Sequence, residues 1–420
     1  MSAPGPVRIV ISAIGGYGHY YLQTILEEVP QERAQLVGIV DPAARQTRAW
    51  PWVEARRIPV YDRMDAFYAP GHRADLAVIV SPPQYHVSQS CEALRNGSHV
   101  LCDKPLGGVI QEARELIAAR DRAGRFVMIG YQWSYSSAIQ SLKRDILSGR
   151  FGRPLRFSTL CAWPRDLAYY QRNSWAGRLA DPVTGRWILD GPANNAMAHF
   201  LHNLLYLGGA HVSRSAVPRT IEGELYRAYD IDGSDTAACR IHSADGLEIL
   251  CLASHVTEAA IEPRFRLEFE HATVTFADNP RTVLAAFDDG RTTDYGAPDL
   301  SPQFQKLQDA IDAARSAQPV VICGPEAASA QTLCVNGLHE SAGASKTFPA
   351  DLVCTDPRRR SVRGLADVLL RCYETGRLPS ELGVGWAEKG QPFSLEGYGH
   401  FPAAEARGNT QAPGLRHEAP

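Results

Sequence analysis

Apolar and polar positions fall into two different rhythms along this chain. In the first 130 residues, short unbroken apolar runs alternate with amphipathic stretches. VRIVISAI (7–14), AQLVGIVD (34–41), ADLAVIVSPP (74–83), HVLCDKP (99–105) and RFVMIGYQ (125–132) read as strands. YYLQTILEEV (20–29), HVSQSCEALRNG (86–97) and LGGVIQEARELIAARDRAG (106–124) read as the helices between them. Strands without polar alternation, each followed by a helix, predict a parallel sheet covered on both faces.

From residue 152 the strands lengthen. GRPLRFSTLCAW (152–163), RTIEGELYRAYD (219–230), DTAACRIHSADGLEILCLASHV (235–256) and RFRLEFEHATVTFAD (264–278) predict antiparallel hairpins, with SADG and EHAT as turns. The stretches 190–209, 301–318 and 324–343 predict helices. The fold class is therefore α/β: an N-terminal doubly wound parallel sheet, then an α+β domain with a large open, mainly antiparallel sheet. The boundaries expected are 1–130, 131–345 and a C-terminal extension at 346–420, holding one further helix and a disordered tail after Gly399.

Length and charge narrow the class. At 420 residues the chain exceeds one core of ordinary size. With 43 basic against 46 acidic residues, no basic surface argues for nucleic acid. No apolar run is long enough to span a bilayer, the first residues lack a leader pattern, and nine cysteines occur without a CxxC pair. The expectation is a cytoplasmic protein with no membrane and no nucleic-acid partner. No metal-ligand spacing is present.

The chemistry starts at the turn AIGGYG (13–18). Read as A-x-G-x-x-G, it places Gly15 for close backbone approach to a pyrophosphate and Gly18 for close packing of helix on strand, with Gly16 and Tyr17 between. Ala13 stands where the first glycine of the dinucleotide fingerprint is expected. Asp41 closes the second strand at the distance required of a ribose-binding acid, which favours NAD over NADP. A plain turn residue before Pro42 is the alternative.

Three segments together, VIVSPPQYH, EALRNGSHVLCDKPLGG and FVMIGYQ, resemble the glucose–fructose oxidoreductase/inositol dehydrogenase (Gfo/Idh/MocA) family. Family members show P-x-x-x-H, A-L-x-x-G-x-H-V and E-K-P at these places. The resemblance implies a Rossmann nucleotide domain and gives Lys104 a place beside the nicotinamide ribose and the substrate hydroxyl. It implies cofactor contacts at Ser81, Pro82, His86, Asp103 and Gln132. For His86, capping of the following helix is the alternative. Ser134 replaces an arginine that family members often carry, which weakens an anionic substrate contact from that position. The family pattern D-x-x-x-H-x-x-D falls on Asn195, His199 and His202, spaced to share a helical face, with Asp190 as the helix N-cap. By resemblance, His199 takes the hydroxyl proton, Asn195 positions the substrate and His202 lies beside it.

YYQRNSWAGR (169–178) offers Tyr169, Tyr170 and Trp175 as flat faces for a sugar, and Arg172 and Arg178 as forks for hydroxyls or a carboxylate; some of these pack instead. The resemblance implies an oxidoreductase that uses NAD on a secondary hydroxyl of a sugar, inositol or polyol. It also implies a homodimer or homotetramer formed through the open sheet. An NAD-dependent glycosidase or lyase working by transient oxidation is the second reading, and a non-catalytic nucleotide sensor the third.

Overall fold

Val, Ile and Leu fill both faces of the short N-terminal strands, so helices must cover both sides of any sheet they build. The computed structural model, which describes residues 5–69, 71–298 and 304–402, has that arrangement. Strands β1 (Val7–Ser12), β2 (Ala34–Val40), β3 (Val60–Tyr61), β4 (Leu76–Ile79), β5 (His99–Cys102) and β6 (Val127–Ile129) form a six-stranded parallel sheet in the order β3-β2-β1-β4-β5-β6. The direction of winding reverses between β1 and β4, and a crevice opens there at the carboxyl ends of the strands. The helix Gly18–Glu27 follows β1 through the glycine turn. A Cβ at Gly18 would lie 2.0 Å from the Ala13 carbonyl oxygen, so only glycine allows this approach.

The second sheet is mixed. It is built from β7 (Pro154–Ala162), β8 (Pro218–Arg227), β9 (Thr236–Ser243), β10 (Glu248–Ser254), β11 (Ile261–Phe269), β12 (Ala272–Asp278), β13 (Arg281–Phe287), β14 (Thr292–Asp294) and β15 (Lys346–Thr347). The order is β14-β13-β12-β11-β7-β10-β9-β8-β15, mainly antiparallel, with β7–β10 and β8–β15 parallel. Turns at SADG and EHAT join β9 to β10 and β11 to β12, as the sequence predicts.

Side chains along the central strands divide alternately between two cores. Phe157, Cys161, Ile249 and Cys251 join the core shared with the helices Ala198–Gly208 and Pro325–Ala342. Leu160, Ala162, Leu250 and Leu252 point the other way. That second face is covered by the chain itself: the helix Leu365–Thr375 lies on β7 and β10 and buries Leu365, Leu369 and Cys372 there. The face expected to receive a second chain is thus occupied along these strands by the C-terminal extension. A segment at Phe393–Ser394 then pairs with β8, and Phe401 exchanges hydrogen bonds with Gln111 of the nucleotide domain. The order expected to end at Gly399 continues to residue 402; residues 403–420 of the expected disordered tail lie outside the described residues. Among the described residues, no helix is long and apolar enough to cross a membrane.

Candidate active site

The glycine turn, the DKP loop and the 191–199 segment converge on one cleft of about 970 Å³. Ala13 adopts φ 60, a left-handed conformation that costs an alanine more than the glycine expected there. Gly16 is exposed at φ +50, and a Cβ at Gly15 would meet only Thr47, at 3.6 Å. Gly15, Gly16 and Tyr17 border the cleft, whereas Gly18 is buried beneath the turn. Asp41 braces the turn: one carboxylate oxygen accepts from the Ile14 N–H at 2.9 Å and the other from the Ala43 N–H at 2.8 Å. Each oxygen keeps a lone pair. An uncrowded glycine backbone beside a braced carboxylate fits the pyrophosphate and ribose of a dinucleotide.

Ser81, Pro82 and Gln132 also border the cleft. His86 does so as well, but it is no N-cap. It lies within the helix Pro83–Arg95, with Nε2 2.7 Å from the Ser81 carbonyl and Nδ1 2.7 Å from the Pro105 carbonyl. Its ring therefore ties the loop after β4 to the DKP loop. Burial lowers its pKa, and the Pro105 carbonyl pushes back.

Asp103 and Lys104 diverge in role. The buried Asp103 carboxylate accepts from Tyr21 Oη at 2.8 Å and from Lys306 Nζ at 2.7 Å. Burial pushes its pKa up, but Lys306 and Lys104 outweigh this and hold it below the usual carboxylate range. Although Asp103 borders the cleft, that oxygen is committed to the protein. Lys104, half-buried, donates to the Asn195 backbone carbonyl at 2.7 Å. Burial draws its pKa down to about 8, against the opposing pull of Asp103.

The expected helix over 190–209 starts late, at Ala198. Gly191, Pro192, Asn194 and Asn195 favour turns over helix, and the chain turns through them. Asp190 is therefore not the N-cap. It is buried and accepts from the Gly177 N–H at 2.6 Å and from Asn195 Nδ2 at 2.8 Å, so a carboxylate stands directly behind the asparagine. Burial raises its pKa. Asn195 and His199 border the cleft, but Asn195 precedes the helix and the shared helical face is not formed. His199 is half-buried, with Nδ1 enclosed and without a hydrogen-bond partner. Burial, with Lys104 second, lowers its pKa well below the ordinary histidine value, which keeps the ring neutral.

His202 is a correction: it stacks on Tyr131 at 3.8 Å, bonds Ser134 Oγ at 3.0 Å and is fully inside the core. Ser134, where an arginine was expected, thus serves packing. Tyr170 is also buried away from the cleft, its hydroxyl 3.2 Å from His255 Nδ1. Tyr169 offers no free face to a sugar, because the Arg172 and Arg165 guanidiniums lie 3.6 Å and 4.8 Å from its ring centre. Arg172 and Trp175 border the cleft. Arg178 instead pairs with Asp232 at 3.0 Å.

Sequence reasoning missed Arg165 and Lys306. The signal for Lys306 was present: a lysine on the apolar stripe of the helix Gln305–Arg315, beside Leu307, Ala310 and Ile311. Arg165 lies just past the end of β7, where a strand delivers side chains to a cleft.

Comparison with known proteins agrees with this architecture. Residues 7–131 match a family model described as an oxidoreductase family with an NAD-binding Rossmann fold. An inositol 2-dehydrogenase of Rubrobacter xylanophilus is 28% identical over 192 residues, 44% of this chain and 53% of that protein. A 2,7-anhydro-N-acetylneuraminate hydratase of Mediterraneibacter gnavus is 31% identical over 153 residues, 36% of this chain and 38% of its own length. The chain thus spans about half or less of these relatives. A WlbA dehydrogenase of Bordetella pertussis, solved with NADH and UDP-GlcNAcA, shares the fold at TM-score 0.64 and 20% identity, covering 80% of this chain and 96% of that one. Residues 7–131 thus match the NAD-binding domain of the Gfo/Idh/MocA oxidoreductase family.

Proposed function

We propose that the chain is an NAD-dependent dehydrogenase oxidising a secondary hydroxyl of a sugar, inositol or related polyol, with ketone reduction as the reverse reaction. The observation that carries this reading is the shared cleft: Lys104 from one domain and His199 from the other border it together with the glycine turn. Gly15, Gly16, Tyr17 and Asp41 would hold the dinucleotide, with Ser81, Pro82 and Gln132 along its path. A bound NAD would supply the hydride acceptor for the carbinol carbon. The Lys104 ammonium donates to the substrate oxygen and stabilises its growing negative charge. His199, neutral in its buried setting, takes the hydroxyl proton on a ring nitrogen. Asn195 fixes Lys104 through its carbonyl and is itself fixed by Asp190.

All nine cysteines are free thiols, which suits a reducing, cytoplasmic compartment. Any homodimer or homotetramer of this reading forms outside the strip covered by the 365–375 helix.

A second reading, net hydration or elimination through transient oxidation, draws on the similarity to the hydratase. A panel of sugars, inositols and glycosides with NAD and NADP separates the two. The dehydrogenase reading expects NADH to accumulate in step with product and Lys104→Ala and His199→Ala to abolish it. Product formation without net NADH favours the second, and full turnover by both variants sinks the site assignment.

A further inference from the structure

Several partly buried arginines of this chain meet a carboxylate: Arg120 meets Glu326, and Arg240 meets Glu381. Two arginines at the cleft do not. Arg165 stands over the rings of Trp163 and Tyr169, at 5.8 Å and 4.8 Å, and its Nε is buried with no hydrogen-bond partner. Arg172 lies over Tyr169 and Trp175, at 3.6 Å and 5.1 Å, and its guanidinium donates to the Tyr169 carbonyl. No ion pair joins either guanidinium to an acid among the described residues. The nearby Asp190 feels the Arg172 charge but forms no ion pair with it, and its two oxygens accept from Gly177 and Asn195. Both guanidiniums border the same cleft as Lys104 and His199.

Two cations held on one tyrosine ring, with no acid in ion-pair contact, repel each other, and the buried Nε of Arg165 has lost its hydration. A fork of N–H donors aimed into a cleft regains both when an anion arrives, and a planar guanidinium suits a carboxylate or phosphate. We propose that Arg165 and Arg172 form an anion subsite, so that the substrate is a sugar or polyol bearing a carboxylate or a phosphate ester. This rests on the dehydrogenase reading for the chemistry and on the two arginines for the substrate class. The serine at position 134 is consistent with it: the anion contact comes from the end of β7 and the 169–178 segment instead.

The test uses the full chain with NAD and matched substrates: a neutral sugar, its uronate or aldonate, and its phosphate ester. The acidic member should exceed its neutral counterpart in kcat/KM by roughly tenfold or more, the worth of a charge-assisted hydrogen bond. Whichever arm does so identifies the anion. R165Q and R172Q should each collapse that preference through KM, and R165K should keep part of it. Unchanged NAD affinity shows that the variants fold, and R165Q and R172Q report independently if one does not. Calorimetric titration with NAD present reads the subsite even without turnover. Neutral substrates used as well as acidic ones, or a preference indifferent to both variants, overturn the subsite while leaving the dehydrogenase intact. Anion-selective binding with no NADH from any substrate overturns the dehydrogenase and leaves the subsite.

Discussion

Lys306 reaches Asp103 from 203 residues away in sequence, and the two meet at 2.7 Å with almost no solvent exposure. The lysine also donates to the Gly130 carbonyl at 3.1 Å and stands over the rings of Tyr17 and Tyr21. It therefore fastens the glycine turn, the DKP loop and the end of β6 to one point. Burial pulls the Lys306 pKa down, but Asp103 outweighs it and holds it above the ordinary value.

Lys306→Met leaves a buried carboxylate without its partner, a loss of about 3–5 kcal/mol in systems where this has been done. The sign with pH follows from the shifts. In the natural chain, Asp103 is held below its ordinary pKa, so its stabilising contribution is present at neutral pH and fades as acid protonates it. In the variant, burial dominates and raises that pKa, so the deficit shrinks on acidification. Melting temperatures at several pH values check this; a deficit independent of pH contradicts it. Lys306→Met with Asp103→Asn should recover part of the loss.

Asn195 suggests a second prediction, because the family pattern invites its replacement by aspartate. Asp190 already lies 2.8 Å from the asparagine amide. Asn195→Asp would set two carboxylates face to face, and one would have to hold a proton. Activity should fall rather than rise, by roughly tenfold or more. Combining it with Asp190→Asn exchanges donor and acceptor and should restore much of the loss. A double-mutant cycle on kcat measures the coupling; additive losses would show that the pair does not act together.

The contrast between these two positions explains what the sequence discloses. The parallel sheet was legible because β1, β4 and β5 are apolar on both faces, a pattern few other architectures tolerate. Lys104 and His199 were legible because each sits inside a local motif. Asp190 was visible but misassigned, since its role depends on a turn through Gly191 and Pro192 replacing the first turns of the expected helix. Lys306 and Arg165 were not found because their partners are distant in sequence and no periodicity encodes a long-range contact. The apolar stripe of the 365–375 helix was readable, but the surface it covers exists only once β7 and β10 are paired.

That stripe supports a third prediction. Leu369 is fully buried against the second sheet face, so Leu369→Ala should cost about 2–4 kcal/mol as a cavity-forming change. NAD affinity should be unaffected, because the nucleotide turn lies in the other domain. Removing residues 346–420 altogether uncovers Leu160, Leu250 and Leu252. An apolar face of that kind drives association, so size-exclusion chromatography should show larger species than the full chain. An unchanged elution volume would mean that the extension does not shield this face.

The pH profile gives the most direct check on how Lys104 and His199 divide the work. Burial draws Lys104 to about 8, with Asp103 resisting, while burial and the neighbouring Lys104 charge keep His199 neutral far below that. An ammonium that stabilises the substrate oxygen works only while protonated, so kcat/KM should fall as pH rises through about 8. A histidine base works only while neutral, so the acid limb should lie well below the ordinary histidine value. If Lys104 were itself the base, the limb at about 8 would run the other way, with kcat/KM rising into alkali. Lys104→Arg separates the cases again: a guanidinium keeps its proton throughout, so it should remove the alkaline fall under the first assignment and abolish activity under the second. Initial rates with saturating NAD, at constant ionic strength across this range, read the sign of that limb directly.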